Sequence, residues 1–324
     1  MSLVLTLALF VVGFMILIKG ADLLVSGASS LATRLGVSAL VIGLTIVAFG
    51  TSAPELIVNL LASLSGKTDI AIGNVLGSNI VNILIILGVS AIIYPLSVGK
   101  GTVWKEIPFA MLAVVVLAFM AMDTLIDGAP ASVLSRGDGL VLISFFIIFL
   151  YYIFGLARAD ATKSEAVPEA IEQYPLGKSI GLIVVGLLGL VVGGKWIVDG
   201  AVTFAAALGV SEALIGLTIV AIGTSLPELA TSVVAARKKQ VDIAVGNVVG
   251  SNIFNIFWIL GISAVIAPLP FSPALGIDLA VALGATLFLF SALFIGIRHT
   301  FERWQGWLFI ASYAAYIVYV LIRG

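Results

Sequence analysis

The chain has 324 residues, 61% of them hydrophobic and 10% charged, with a formal net charge of -1, one histidine and no cysteine. Soluble domains carry about 25% charged residues, so this composition excludes a soluble enzyme, a disordered chain and a basic nucleic-acid binder. Without cysteine there is no disulfide or thiolate ligand, and one histidine excludes a histidine-built metal site.

A spanning helix needs about 20 apolar residues. In chain order, such stretches predict spans at 3–26, 37–63, 69–95, 104–123 and 138–157. After a polar segment at 158–177, further spans are predicted at 178–200, 210–236, 242–267, 274–297 and 304–322. The expected fold is an all-α polytopic membrane protein with ten transmembrane helices, since a barrel would alternate polar and apolar residues. The first stretch lacks a basic flank and runs apolar to Leu24, so it reads as a retained span rather than a cleaved signal. The segment 158–177 carries Asp160, Glu165, Glu169 and Glu172 and reads as a connector between a first half, 1–157, and a second half, 178–324. With the N-terminus outside, eleven Lys and Arg fall in inner loops, including Arg34, Lys100, Arg158 and Lys238, and three, Lys67, Arg136 and Arg323, fall outside. That asymmetry predicts both termini outside and the 158–177 connector in the cytoplasm. Lys19 with Asp22, and Lys195 with Asp199, lie within spans and are expected to pair and snorkel.

The two halves contain a repeat. Residues 35–93 and 208–266 align without a gap at an offset of 173, with 36 of 59 positions identical. GLTIVAFGTSAPEL (43–56) matches GLTIVAIGTSLPEL (216–229), and DIAIGNVLGSNIVNI (69–83) matches DIAVGNVVGSNIFNI (242–256). Five spans per half is an odd number, so the second copy is expected to be inverted, as in secondary transporters.

The identical positions are unusually polar. Pro54 and Pro227 lack the N–H that would bond the carbonyls of Gly50 and Gly223, so both spans are expected to break there. Freed carbonyls inside a membrane are tolerated where they are buried or line a cavity, and they suit hard cations. Glu55 and Glu228 follow the breaks. A carboxylate at bilayer depth costs at least about 2.5 kcal/mol and marks a pathway. Thr51 and Ser52 sit four and three residues before Glu55, as Thr224 and Ser225 sit before Glu228, spacings that let the groups project together from one helix. In the next span, Asn74, Ser78 and Asn82 form a stripe repeated by Asn247, Ser251 and Asn255. Asn74 and Asn247 read as helix glue, as do Asn79 and Asn252, which are expected to point elsewhere. Ser78, Asn82, Ser251 and Asn255 are the better ligand candidates. The set is all oxygen, as Ca²⁺ requires, and two carboxylates neutralise one Ca²⁺ or two Na⁺. No HExxH, P-loop, GxSxG or dinucleotide fingerprint occurs, so neither catalysis nor a cofactor is expected.

GTSAPE and GTSLPE, each followed by GNVxGSN, resemble the paired repeats of the cation/calcium antiporter superfamily, in particular the small prokaryotic members of its Na⁺/Ca²⁺ exchanger branch. The resemblance covers practically the whole chain. It implies ten helices in two inverted five-helix halves, a central cluster of cation sites, and Na⁺/Ca²⁺ antiport across a plasma or bacterial inner membrane. The implied ligands are Thr51, Ser52, Glu55, Ser78 and Asn82 with Thr224, Ser225, Glu228, Ser251 and Asn255, joined by the carbonyls of Ala48 and Ala221. Ca²⁺, Na⁺ and the bilayer are the expected partners; no protein partner or nucleic acid is. Some exchangers carry Asp where Asn255 stands, so this chain has one carboxylate fewer, which leaves stoichiometry and coupling ion open. A proton-coupled cation antiporter and a passive cation channel are the alternatives.

Overall fold

A computed structural model of the chain describes residues 3–161, 172–207 and 221–323. The first half contains α1 (Leu3–Leu35), α2 (Ala39–Thr51), α3 (Ala53–Leu64), α4 (Ile70–Ile93), α5 (Thr102–Met120) and α6 (Arg136–Ala161). The second contains α7 (Leu176–Ala207), α8 (Ala221–Thr224), α9 (Leu226–Arg237), α10 (Val241–Ile266), α11 (Leu275–Ala292) and α12 (Arg303–Arg323). Among the described residues, eight helices are long and apolar enough to cross a membrane, and the bent pair α2–α3 makes a ninth. The first part of the span expected at 210–236 lies outside the described residues, as does the middle of the 158–177 connector.

The expected breaks occur one residue before the helices that the prolines open. Ser52 (φ -81°, ψ 7°) separates α2 from α3, which meet at a 46° bend. Ser225 (φ -86°, ψ 6°) separates α8 from α9 in the same way. Pro54 and Pro227 each lie in the first two positions of the following helix, where the missing N–H is harmless. Helices α4 and α10 stay continuous but widen into π-helical turns at Asn82–Leu87 and Phe254–Leu260.

Helices α1 and α7 pack backbone to backbone along a stripe of glycines spaced by seven. A Cβ placed on Gly20 would lie 2.8 Å from the Gly186 oxygen, and one on Gly186 would lie 2.7 Å from the Leu24 nitrogen. Gly13 meets Gly193, and Gly27 meets Ser179, in the same manner. Small residues allow this approach, and close packing is what associates helices where lipid is as apolar as the side chains. Among the described residues, the larger apolar core draws on α2 to α6 and on α8 to α12, with no member from α1 or α7. A second cluster joins α1 and α7 to the outer faces of α2, α9 and α10, through residues such as Leu24, Ile42, Ile183 and Ala235. The long pair therefore rides on the rest of the bundle. Two short antiparallel ribbons tie the halves together: β1 (Leu96–Ser97) with β4 (Thr300–Phe301), and β2 (Val133–Leu134) with β3 (Leu269–Pro270).

Candidate cation site

Glu55 and Glu228 stand in the first turns of α3 and α9, each 1% exposed. A helix N-terminus presents unbonded N–H groups and a positive dipole end, which suits a carboxylate there.

Their hydrogen bonds cross from one repeat to the other. Ser52 donates to Glu228 Oε1 (2.9 Å), and Ser225 donates to Glu55 Oε1 (3.2 Å). Thr51 donates to Asn247 Oδ1 (2.9 Å), and Thr224 to Asn74 Oδ1 (3.5 Å). Ser78 reaches Glu55 Oε1 at 3.4 Å and Ser251 reaches Glu228 Oε1 at 3.5 Å, each within its own repeat. The spacing of Ser52 to Glu55 suggested a pair on one helix. Ser52 instead sits at the break, off the helical spiral, so its hydroxyl turns to the opposite glutamate.

Asn82 and Asn255 are buried at the π-helical turns. Their amides donate to Asn252 Oδ1 (2.9 Å) and Asn79 Oδ1 (3.0 Å) respectively. Asn79 and Asn252 in turn each donate to the other's backbone carbonyl, at 3.2 and 3.4 Å. They glue the helices as expected, but they do not point elsewhere: they orient the two candidate amides. The Ala48 carbonyl accepts from Ser52 N (3.0 Å) and Thr51 Oγ1 (3.3 Å). Ala221 opens α8, and its side chain lies outside the described residues.

Four acceptor oxygens are left over. Glu55 Oε2, Glu228 Oε2, Asn82 Oδ1 and Asn255 Oδ1 are buried with no hydrogen-bond partner among the described residues. They form two pairs at the 173 offset. A buried acceptor left unbonded costs about 1–3 kcal/mol, more for a charged one, so four such atoms fit a cation that takes oxygen ligands. All four are oxygens, of carboxylates and amides, and donors of that kind suit hard cations rather than zinc or copper.

Sequence reading passed over the supports. Asn59 is fully buried, donating to the Ala71 carbonyl (3.0 Å) and accepting from Asn74 (2.7 Å). Its repeat counterpart Ser232 accepts from Asn247 (3.0 Å). The signal was available, since each lies four residues after its glutamate on the same helix face. Two further acids are buried away from this site: Glu106, bonded by Tyr152, and Asp278, bonded by Tyr316 at 2.9 Å.

The sodium/calcium exchanger protein family matches residues 5–155 and 178–322. The chain is 33% identical to sodium/calcium exchanger MaX1 of Methanosarcina acetivorans, over 96% of this chain and 97% of that one. It is 41% identical to inner membrane protein YrbG of Escherichia coli, over 81% and 80%. Its fold matches a solved structure of the sodium-calcium exchanger NCX_Mj with a TM-score of 0.83 and 36% identity, covering 98% of this chain and 99% of the other. With matches of this extent in both halves and across the duplicated motif, the chain belongs to the sodium/calcium exchanger protein family.

Proposed function

We propose that this integral membrane protein exchanges Na⁺ for Ca²⁺ by alternating access, in an inner or plasma membrane. The observation that carries this reading is the set of four unbonded, buried acceptor oxygens on Glu55, Glu228, Asn82 and Asn255. Ca²⁺ takes 6–8 oxygens. Glu55 and Glu228 bind Ca²⁺ and are shared with Na⁺, and the hydroxyls of Thr51, Ser52, Ser78, Thr224, Ser225 and Ser251, with the Ala48 and Ala221 carbonyls when their own bonds loosen, supply further oxygens and select Na⁺ in flanking positions. Two carboxylates balance one Ca²⁺ or two Na⁺, and that equivalence makes the ions compete for one site. The reading fits MaX1, named as a sodium/calcium exchanger, and NCX_Mj, whose crystals were soaked with Na⁺ and Sr²⁺.

The architecture proposed for this work is ten spans in two inverted halves, 1–157 and 178–324, joined by 158–177. Reciprocal bonding supports it: Ser52 meets Glu228 as Ser225 meets Glu55. Contacts that map onto each other when the partners exchange are the mark of a two-fold relation. Positive charge in the loops supports a topology with both termini outside and the turn at Lys238 in the cytoplasm. The glycine-packed pair α1–α7, set apart from the main core, slides against the ligand helices to open one side and close the other.

The test is Ca²⁺ uptake into reconstituted vesicles with Na⁺, K⁺ and H⁺ gradients imposed one at a time. Uptake driven by the Na⁺ gradient alone is the expected result. Uptake that follows only the pH gradient would replace Na⁺ by H⁺, and uptake with no counter-ion at all would make the protein a channel.

A further inference from the structure

The α1–α7 pair is fastened to the bundle by one asymmetric ionic contact. Lys238, at the end of α9, reaches Asp22 Oδ1 of α1 at 2.5 Å. The same ammonium donates to Ser26 Oγ (2.8 Å) and to the Asp22 carbonyl (3.2 Å). All three of its donors are therefore used. Lys19 holds the other oxygen of Asp22 at 2.9 Å. Of the ion pairs between described residues, Lys238–Asp22 is the one that joins two helices; Lys19–Asp22 and Lys195–Asp199 lie within a single helix.

The repeat shows what is missing at the opposite end. Shifted by 173, Asp22 becomes Lys195, Ser26 becomes Asp199, and Lys238 becomes Ser65. Arg237, Lys238 and Lys239 correspond to Leu64, Ser65 and Gly66. At the mirror-related seam the position matching Lys238 is thus Ser65, Lys67 stands two residues on where the other copy has Gln240, and a lysine stands where the acceptor carboxylate would be. Lys195 is instead occupied by Asp199 at 2.9 Å. A two-fold arrangement with equal seams would leave the inward- and outward-open states evenly matched. An ion pair at one seam alone favours the state in which that seam is shut.

We propose that Lys238, with Asp22 and Ser26, is a one-sided latch that holds the α1–α7 pair closed at the α9–α10 turn and so biases the site toward opening at the opposite membrane face. Lys238 touches no candidate ligand; it acts on the site by setting how often each face has access. This inference rests on the antiporter reading, which places the turn in the cytoplasm. Apparent affinity at a face falls with the fraction of protein open to it. Lys238 and Asp22 are about one-third exposed, at 34% and 37%, and contacts of that exposure shift an equilibrium by at most about five-fold.

Two measurements test the latch. In the first, the apparent KM for Ca²⁺ is measured separately at each face, in right-side-out and inverted vesicles. Lys238→Gln is expected to raise KM about two- to five-fold at the face opposite Lys238 and to lower it at the near face. Lys238→Arg restores the original values, and Asp22→Asn adds nothing to Lys238→Gln. A general structural defect would move both values together, and that result, or no change at either face, overturns the latch. Faces exchanged with the reciprocal shift intact would overturn the assigned topology while supporting the latch.

The second measurement needs no transport. The chain contains no cysteine, so spin labels on Leu35→Cys and Lys239→Cys report the distance between the end of α1 and the α9–α10 turn. Lys238→Gln is expected to add a longer-distance population, and an unchanged distribution overturns the latch. If the antiporter reading fails, wild-type vesicles show no Na⁺-driven Ca²⁺ uptake, and the distances still decide the latch.

Discussion

Replacing Glu55 by glutamine changes charge while leaving shape almost untouched. Glu55 is 1% exposed, and its Oε1 accepts from Ser225 (3.2 Å) and Ser78 (3.4 Å). Glutamine keeps that acceptor. It replaces the unbonded Oε2 by an NH₂ group, which offers protons where a cation needs a lone pair. Half of the site's formal negative charge disappears with it. Removing one member of a buried charge pair costs about 2–5 kcal/mol, of which 1.4 kcal/mol is a factor of ten. Ca²⁺ affinity should therefore fall at least about thirty-fold. Na⁺-gradient-driven uptake of radiolabelled Ca²⁺ should drop to background at concentrations near the wild-type KM. Thermal unfolding gives a reading independent of flux. A ligand at a hundred times its Kd stabilises a protein by about 2.7 kcal/mol, and Glu55→Gln should lose the Ca²⁺-dependent rise in Tm while remaining folded without Ca²⁺. Uptake within two-fold of wild type, with the Ca²⁺ effect on Tm intact, would remove the Glu55 carboxylate from the mechanism and with it the two-carboxylate site.

Other outcomes follow from the same geometry. Asn255→Asp adds a third carboxylate beside the first two, so the coupled charge should rise; reversal potentials read under set ion gradients should shift toward one more monovalent ion per Ca²⁺, and an unshifted potential would place Asn255 outside the site. Pro54→Ala returns an N–H that can bond the Gly50 carbonyl and let α2 run on into α3; Tm should hold or rise while Ca²⁺ uptake falls at least about tenfold, and full uptake would show that the break is dispensable. Gly186→Ala puts a methyl 2.7 Å from the Leu24 nitrogen and 2.8 Å from the Gly20 oxygen; forcing apart this backbone contact should cost about 1–3 kcal/mol, seen as a lower Tm and slower exchange, and unchanged values would mean that α1 and α7 have room to spare.

The sequence by itself determined the spans, the breaks and the candidate chemistry, because each is local. Apolar length makes a helix long enough to cross a bilayer, and the structure places helices at nine of the ten predicted positions with the tenth partly outside the described residues. Pro54 and Pro227 break the chain because they lack an N–H, a property no neighbour can restore. Glu55 and Glu228 announced themselves because a carboxylate among apolar residues is costly wherever the chain goes.

Only the tertiary structure decided the pairing. Helical spacing put Ser52 beside Glu55, yet its hydroxyl bonds Glu228, 176 residues away, because at the break the helical register no longer governs direction. In the sequence Asn79 and Asn252 read as helix glue pointing away from the candidate ligands, yet with the second repeat facing the first each is the seat of the other copy's candidate ligand. The contact of Lys238 with Asp22 spans 216 positions and breaks the repeat's symmetry. Such contacts depend on how two copies of one motif meet in space. A pattern along the chain records which groups are present, and the packing of helices fixes which of them touch.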